Sequence, residues 1–457
     1  MSRSAFSLFI AAAAALFAAA AQPPRGSIQG VVLLNGGFIA GATVTIDGAV
    51  ATTDRFGHFE LYDVAIGKHR VCAAGTCIDA EVSSADPDRF VELKAASSRS
   101  ADAAPCRRFT TLHDCPSPCN EGQFLVFRGN TEAKANEYYG KVDAHGKRLT
   151  LTDWLRLARY EELAPPVRAS YANANDLGFG RDMYMTRSPW GVFAWVSNFA
   201  ADCKLQDRRN AALAARRDPR DVIATVCMEL SSQNYHGEGT DARVKLEPRI
   251  VKFLVFDHDG KRVTSALLDS FQPGFVPGLC LNCHGGRPFQ VRPDLKSNFL
   301  PFDIATFQMP DGAPPDYPAF RKLNDMVKET LSPDAKAIRQ LIEGWYPDDR
   351  VVPRLDWRPP GWDGTEKLYD RFVARMCRTC HVALSVNQFT SYVQLKSVRE
   401  TTMHNVREGI MPHAQITYMN FHGRNDLWPD DTARQAYLCF EKHVEPERLR
   451  ACLGEVP

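Results

Sequence analysis

Apolar and polar residues alternate most clearly between residues 26 and 95. In Ala42–Ile46, Val44 and Ile46 fall on the face opposite Thr43 and Thr45, the period-2 pattern of a half-buried strand. Ser27–Leu34, His58–Tyr62, Lys68–Cys72 and Arg89–Leu93 are similarly β-rich, and Asn35–Gly37 and Asp54–Gly57 supply turns. Strands at this regular spacing predict a small all-β sandwich over residues 26–95. Residues 96–120 become Ala/Ser-rich and then Cys/Pro-rich and read as a linker, with Cys115 and Cys119 closing a bridged loop. Residues 121–270 read as a mixed α+β region. Its expected elements are a helix in Leu149–Leu157 capped near Thr152 or Asp153, a strand at Gly191–Val196, and a hairpin. The hairpin joins Arg249–Phe256 to Lys261–Leu268 through the turn Asp257–Gly260. Residues 271–350 hold helix-like stretches at 316–330 and 333–344. Beyond Pro353, Pro359 and Pro360, residues 360–457 are mainly helical. The expected fold class is multidomain: a small all-β sandwich, a mixed α+β middle region and a mainly α C-terminal part.

The N-terminus adds a destination. Arg3, the apolar run Phe6–Phe17 and the small residues Ala18–Ala21 describe a secretory signal peptide over residues 1–21. That apolar core is too short to span a bilayer, and no later stretch approaches ~20 apolar residues. The mature chain is therefore expected in the periplasm, with no membrane span. A length of 457 residues allows about three domains. A net charge of +1 gives no reason to expect nucleic-acid binding. Thirteen cysteines suit an oxidising compartment.

Four of those cysteines change the picture. Cys280-Leu281-Asn282-Cys283-His284 and Cys377-Arg378-Thr379-Cys380-His381 are both CxxCH motifs. Cysteines one helical turn apart can both add to vinyl groups on one porphyrin edge, and the adjacent His swings onto the iron. This predicts two covalent c-type haems, with His284 and His381 as axial ligands. A zinc knot would need two further ligands for each pair, and disulfides across each CxxC would leave the following His unexplained. The other nine are Cys72, Cys77, Cys106, Cys115, Cys119, Cys203, Cys227, Cys439 and Cys452. Nine is odd, so at most four bridges form within the chain; Cys72–Cys77 and Cys439–Cys452 are the local pairings.

Three resemblances extend the reading. Gly30-Val31, Gly41–Val44, Thr53-Asp54, Gly57–Phe59 and Gly67–His69 resemble the carboxypeptidase regulatory-like (transthyretin-like) domain over about seventy residues. The resemblance implies an accessory module that packs or docks a partner. The second lies around the second motif. Ahead of it, Leu368, Phe372, Val373 and Met376 share a helix face in Glu366–Met376. Behind it come Gly409–Pro412 and a helix over Asp431–Val444 with Ala433, Ala436, Tyr437 and Phe440 inward. This order resembles a small class I cytochrome c, in which the Met of a Met-Pro step is the distal ligand. The resemblance assigns that role to Met411, thirty residues beyond His381, a shorter gap than the family's. A core thioether at Met411 and ligation by His404, His413 or His422 remain alternatives. His/Met ligation implies a high potential and an unreactive iron.

At the first motif, Gly285 and Gly286 are expected to let the backbone pass close to a porphyrin. Upstream, Asn175–Met185 is a Gly-rich turn leading to Met183 and Met185. From there through Cys280 the chain is similar to a group of exported bacterial multi-domain cytochromes sharing the Asp176–Met183 run, to which no role attaches. Met183 is the distal candidate, with Met309 and His236 as rivals, and a plain core role is open for each. Phe271, Phe275, Phe289, Phe299, Phe302, Trp345 and Tyr346 are available to wall porphyrins from water. The function expected is electron transfer by a dihaem cytochrome serving redox protein partners, with the β-sandwich available for docking. The alternative is a dihaem peroxidase- or oxygenase-like enzyme with an open first haem. Against the peroxidases, the motifs lie 97 residues apart and both in the C-terminal half.

Overall fold

β-branched residues at period 2 build the first strands. The computed structural model describes residues 25–34, 37–38, 41–53, 58–84, 88–95, 131–173, 175–200, 209–268, 273–287, 289, 292–384, 387–408, 411, 413–421 and 432–454. Among these, β1 (Arg25–Leu34) pairs antiparallel with β2 (Gly37–Phe38) and β5 (His58–Ala65) and parallel with β8 (Asp88–Ala95). β3 (Thr43–Ile46), β4 (Ala49–Thr52), β6 (Gly67–Ala73) and β7 (Thr76–Val82) form a second sheet in the order β4-β3-β6-β7. Val44 and Ile46 are buried and Thr43 is exposed, as the alternation predicts. Ile28, Val32, Phe59, Val71 and Leu93 join them in one apolar cluster, each contributing about 1.5–3 kcal/mol on burial. Cys72 and Cys77 face each other across β6 and β7 and are bridged.

Several expectations lie outside the described residues: the signal peptide at 1–21, the linker at 96–120 with Cys106, Cys115 and Cys119, Cys203, Phe271, Pro412, His422 and the side chain of His404. The turns at Asn35–Gly36 and Asp54–Gly57 lie outside as well.

After α1 (Glu132–Val142) comes α2 (Leu151–Ala158), whose cap is Thr150. The Thr150 hydroxyl accepts from the Asp153 amide, so the helix starts before the expected Thr152 or Asp153. A seven-stranded antiparallel sheet follows. It contains β9 (Val167–Asn173), β10 (Gly180–Ser188), β11 (Gly191–Phe199), β12 (Val222–Ser232), β13 (Arg249–Asp257) and β14 (Arg262–Val263) in sequence order. β17 (Phe307–Gln308) is added beside β9. The hairpin after β13 is shorter than its pattern implies. Only Arg262 and Val263 pair back, because β15 (Ser265–Leu267) turns away to pair with β16 (Pro273–Phe275). α3 (Arg209–Arg216) packs on β9 and β10.

Period 2 sorts this sheet into rows. Met183, Val196, Val226 and Val255 are successive cross-strand partners, and Met185, Ala194, Met228 and Phe253 form the next row on the same face. On the opposite face Glu229 pairs with Lys252. Both are fully buried, and Glu229 also accepts from Arg148, Trp154 and Ser231. A buried carboxylate survives only with such complete pairing.

The remaining elements are mostly helical: α4 (Gly278–His284), α5 (Tyr317–Thr330) and α6 (Lys336–Trp345). Beyond them come α7 (Glu366–Leu368), a π turn (Tyr369–Val373), α8 (Ala374–Met376) and α9 (Arg378–His381). The last are α10 (Tyr392–Ser397), α11 (Arg399–Glu408), α12 (Gln415–Phe421), α13 (Thr432–Lys442) and α14 (Pro446–Cys452). In α13 the buried set includes Ala433, Ala436, Tyr437 and Phe440, the predicted face, and Cys439 is bridged to Cys452. The stretch before Cys377 departs from a regular helix at its π turn. Sheets and helices are combined in an α+β architecture. No helix among the described residues is long and apolar enough to cross a membrane.

Candidate cofactor site

α4 places Cys280, Cys283 and His284 on little more than one turn. The two thiols are not bridged, and burial pushes the Cys280 thiol up. His284 Nδ1 lies 2.9 Å from the carbonyl oxygen of Asn298. A carbonyl can only accept, so Nδ1 carries the hydrogen and Nε2 keeps its lone pair. Burial lowers the His284 pKa to about 4, which keeps the imidazole neutral at neutral pH. Phe253 packs on it, ring centroids 5.3 Å apart.

The second motif repeats these features. Cys377 caps α9 and is unbridged to Cys380. Burial pushes the Cys377 thiol up to about 12. His381 Nδ1 lies 2.9 Å from the Asn387 carbonyl oxygen, and burial lowers the His381 pKa. Phe389 packs on its ring at 4.7 Å. The cysteines and histidines are legible from spacing, whereas Asn298 and Asn387 act through their backbones and leave no residue-type signal.

A cavity of about 190 Å³ lies against the sheet rows and includes Cys280, Cys283 and His284 in its wall. Met183 lines it, together with Met185 and Met228. Met309 and His236 are not in its lining among the described residues, and His236 instead packs against His145, ring centroids 4.4 Å apart. Of the expected aromatic wall, Phe299, Phe302 and Trp345 face the cavity. Phe289 and Tyr346 are buried in the surrounding core, and Phe275 is buried without lining the cavity. The Asp176–Met183 run forms one side. Arg181 Nη2 donates to Asp176 at 2.5 Å, and Asn210 Nδ2 donates to the Gly178 carbonyl. A Cβ at Gly180 would stand 1.8 Å from the Asn210 carbonyl oxygen, so only glycine fits there. Three buried polar atoms of lining residues have no protein partner: Arg181 Nε, Asp303 Oδ1 and Thr379 Oγ1.

A smaller cavity of about 30 Å³ brings Met411 together with Cys377, Phe372, Met376 and Phe421. His413, a rival of Met411 in sequence, is instead drawn to the first motif, its Nε2 3.2 Å from Asn282 Nδ2.

The two motifs also touch. Cys283 Sγ and Cys380 Sγ are 3.4 Å apart, and hydrogen bonding from Cys380 holds the Cys283 thiol below its ordinary pKa. This changes the reading of Gly285. It has φ +66°, and a Cβ there would stand 1.9 Å from the Ala383 carbonyl oxygen. Its missing side chain makes room for the second motif's backbone. Sequence spacing carries no signal of this contact.

No protein-family model matches the chain, and no curated protein matches it.

Proposed function

We propose that the chain is an exported c-type cytochrome with two covalent haems, passing electrons between redox proteins of the periplasm. The observation that carries the reading is a repeated arrangement. In two segments 97 residues apart, helical turns present two unbridged thiols and a half-buried His whose Nδ1–H is tied to a backbone carbonyl. A His held in this tautomer offers Nε2 to a metal, and the thiols have the spacing needed for two vinyl groups. Zinc has less support. Among the described residues the cluster with metal-ligand spacing is Asp257, His258 and Asp259, where only Asp257 is partly buried and none belongs to a CxxCH motif.

The lining residues fit the group in kind. Apolar rows and aromatic rings suit a porphyrin face, and Arg181 Nε and Thr379 Oγ1 offer hydrogens to its carboxylates. The cavity beside Cys377 is of the order of a single water. A porphyrin at that position would require α11 and α12 to part from Phe372 and Cys377. Bound haem would supply an iron that cycles by one electron. The protein's part would be to hold it: His284, His381, Met411 and Met183 are the residues that would supply ligands, and the buried rows would keep water away. The two sheets sharing one core support reading residues 26–95 as the regulatory-like β-sandwich, a module for partner docking. The helices from α7 to α14 support the class I cytochrome c-like reading.

The second reading is a peroxidase- or oxygenase-like enzyme with an open first haem. It is favoured by the larger first cavity and by Arg181 Nε in its wall. Optical and EPR spectra of the purified full chain separate the two. Two low-spin centres are expected. A high-spin component that responds to cyanide would replace the relay with the enzyme.

A further inference from the structure

We infer that the two CxxCH segments form one docked unit, so that the groups they carry are a coupled pair instead of two independent centres. This rests on the haem reading above. Four contacts converge on it. Cys283 and Cys380, the second thiols of their motifs, meet at 3.4 Å, and Gly285 lets α4 and the turn after α9 approach to backbone contact. Arg378, inside the second motif, donates through Nε (2.8 Å) and Nη2 (2.5 Å) to Asp303 Oδ2, which lies in the first motif's segment. Both side chains are buried, and Arg378 Nη1 also donates to Tyr369. Asn282, inside the first motif, meets His413 from the segment just after Met411.

One variable position of each motif, Asn282 and Arg378, is thus used for contact with the other half of the site. A desolvated ion pair is a costly way to obtain stability alone, whereas it fixes one geometry well. With these two sulfurs in van der Waals contact, the porphyrin edges they would hold would adjoin in a part-buried setting. There, a change of charge at one centre is felt at the other. Gly285 is the positioning residue of this arrangement.

The test uses the full-length exported protein, with both haems first established by intact mass. In the fully oxidised state its EPR spectrum is expected to differ from the sum of two isolated low-spin signals. Each signal should regain full intensity when the other centre is reduced. Gly285→Ala with both haems retained is expected to bring the spectrum back towards that sum. A two-haem wild type that gives an additive spectrum and two non-interacting one-electron waves overturns the pairing. Docking is tested separately on haem-free full chain carrying Cys280→Ser and Cys377→Ser. Diamide should take two electrons and two protons from Cys283 and Cys380 and leave one disulfide, detected as a linked peptide. Absence of that link overturns the docked unit. A failure of the haem reading has a different signature, the missing mass, and removes the coupling while the cross-link still reports docking.

Discussion

His284 and His381 have each given one nitrogen to a carbonyl oxygen, which settles their tautomer before any metal arrives. Of the residues proposed as second ligands, Met411 is the sharper case because it shares a cavity with Cys377. In the haem-loaded protein, Met411→Ala is expected to turn one centre from low-spin to high-spin in EPR and to keep the other low-spin. A plain core role would leave both signals and cost about 2–5 kcal/mol in chemical denaturation. Glu229 gives a second prediction. Burial by itself would raise its pKa, but Arg148 and Lys252 outweigh it and hold the carboxyl well below the ordinary 4.5. Its stabilisation is therefore complete above about pH 4.5 and is lost as the pH falls below that value. Glu229→Gln should cost about 3–5 kcal/mol in urea unfolding at pH 7, and the gap to wild type should narrow in acid. A lone Glu in an apolar strand looks like a surface residue, so this network was hidden. Met183 could be picked out by type, but its place in the cavity that His284 also lines depended on a strand the pattern had not resolved.

At the scale of elements, the legible ones bury a single face. Val44 and Ile46 in β3 and Ala433, Ala436, Tyr437 and Phe440 in α13 follow their periods because only one side meets a core. β9, β10 and β12 escaped notice for the opposite reason. Both faces of that sheet are covered, one by the cavity and one by the Glu229 network, so polar residues occur on inward faces and blur the alternation. The π turn at Tyr369–Val373 was invisible because the residues on either side still match a helical stripe. Gly180 was visible as part of a turn, yet its reason is the Asn210 carbonyl from α3. Gly180→Ala should cost about 1–3 kcal/mol through overpacking. A lowered melting temperature would register the change, and an unchanged one would mean that α3 yields freely.

For the whole molecule, covalent chemistry was the most readable layer. Two cysteines and a histidine at fixed spacing mark a CxxCH motif wherever they lie, and local cysteine pairs such as Cys439–Cys452 follow from proximity along the chain. The meeting of Cys283 with Cys380 was not readable, since a separation of 97 residues says nothing about approach in space. What brings them together is distributed over Gly285, Asp303, Arg378 and His413, four residues of ordinary type. The proposal that both motifs bind haem covalently is tested by the intact mass of the full-length protein. The expected chain is heavier by two haems, by one in a Cys280→Ala/Cys283→Ala variant, and by the other one in Cys377→Ala/Cys380→Ala. A wild-type mass equal to the bare polypeptide would contradict it.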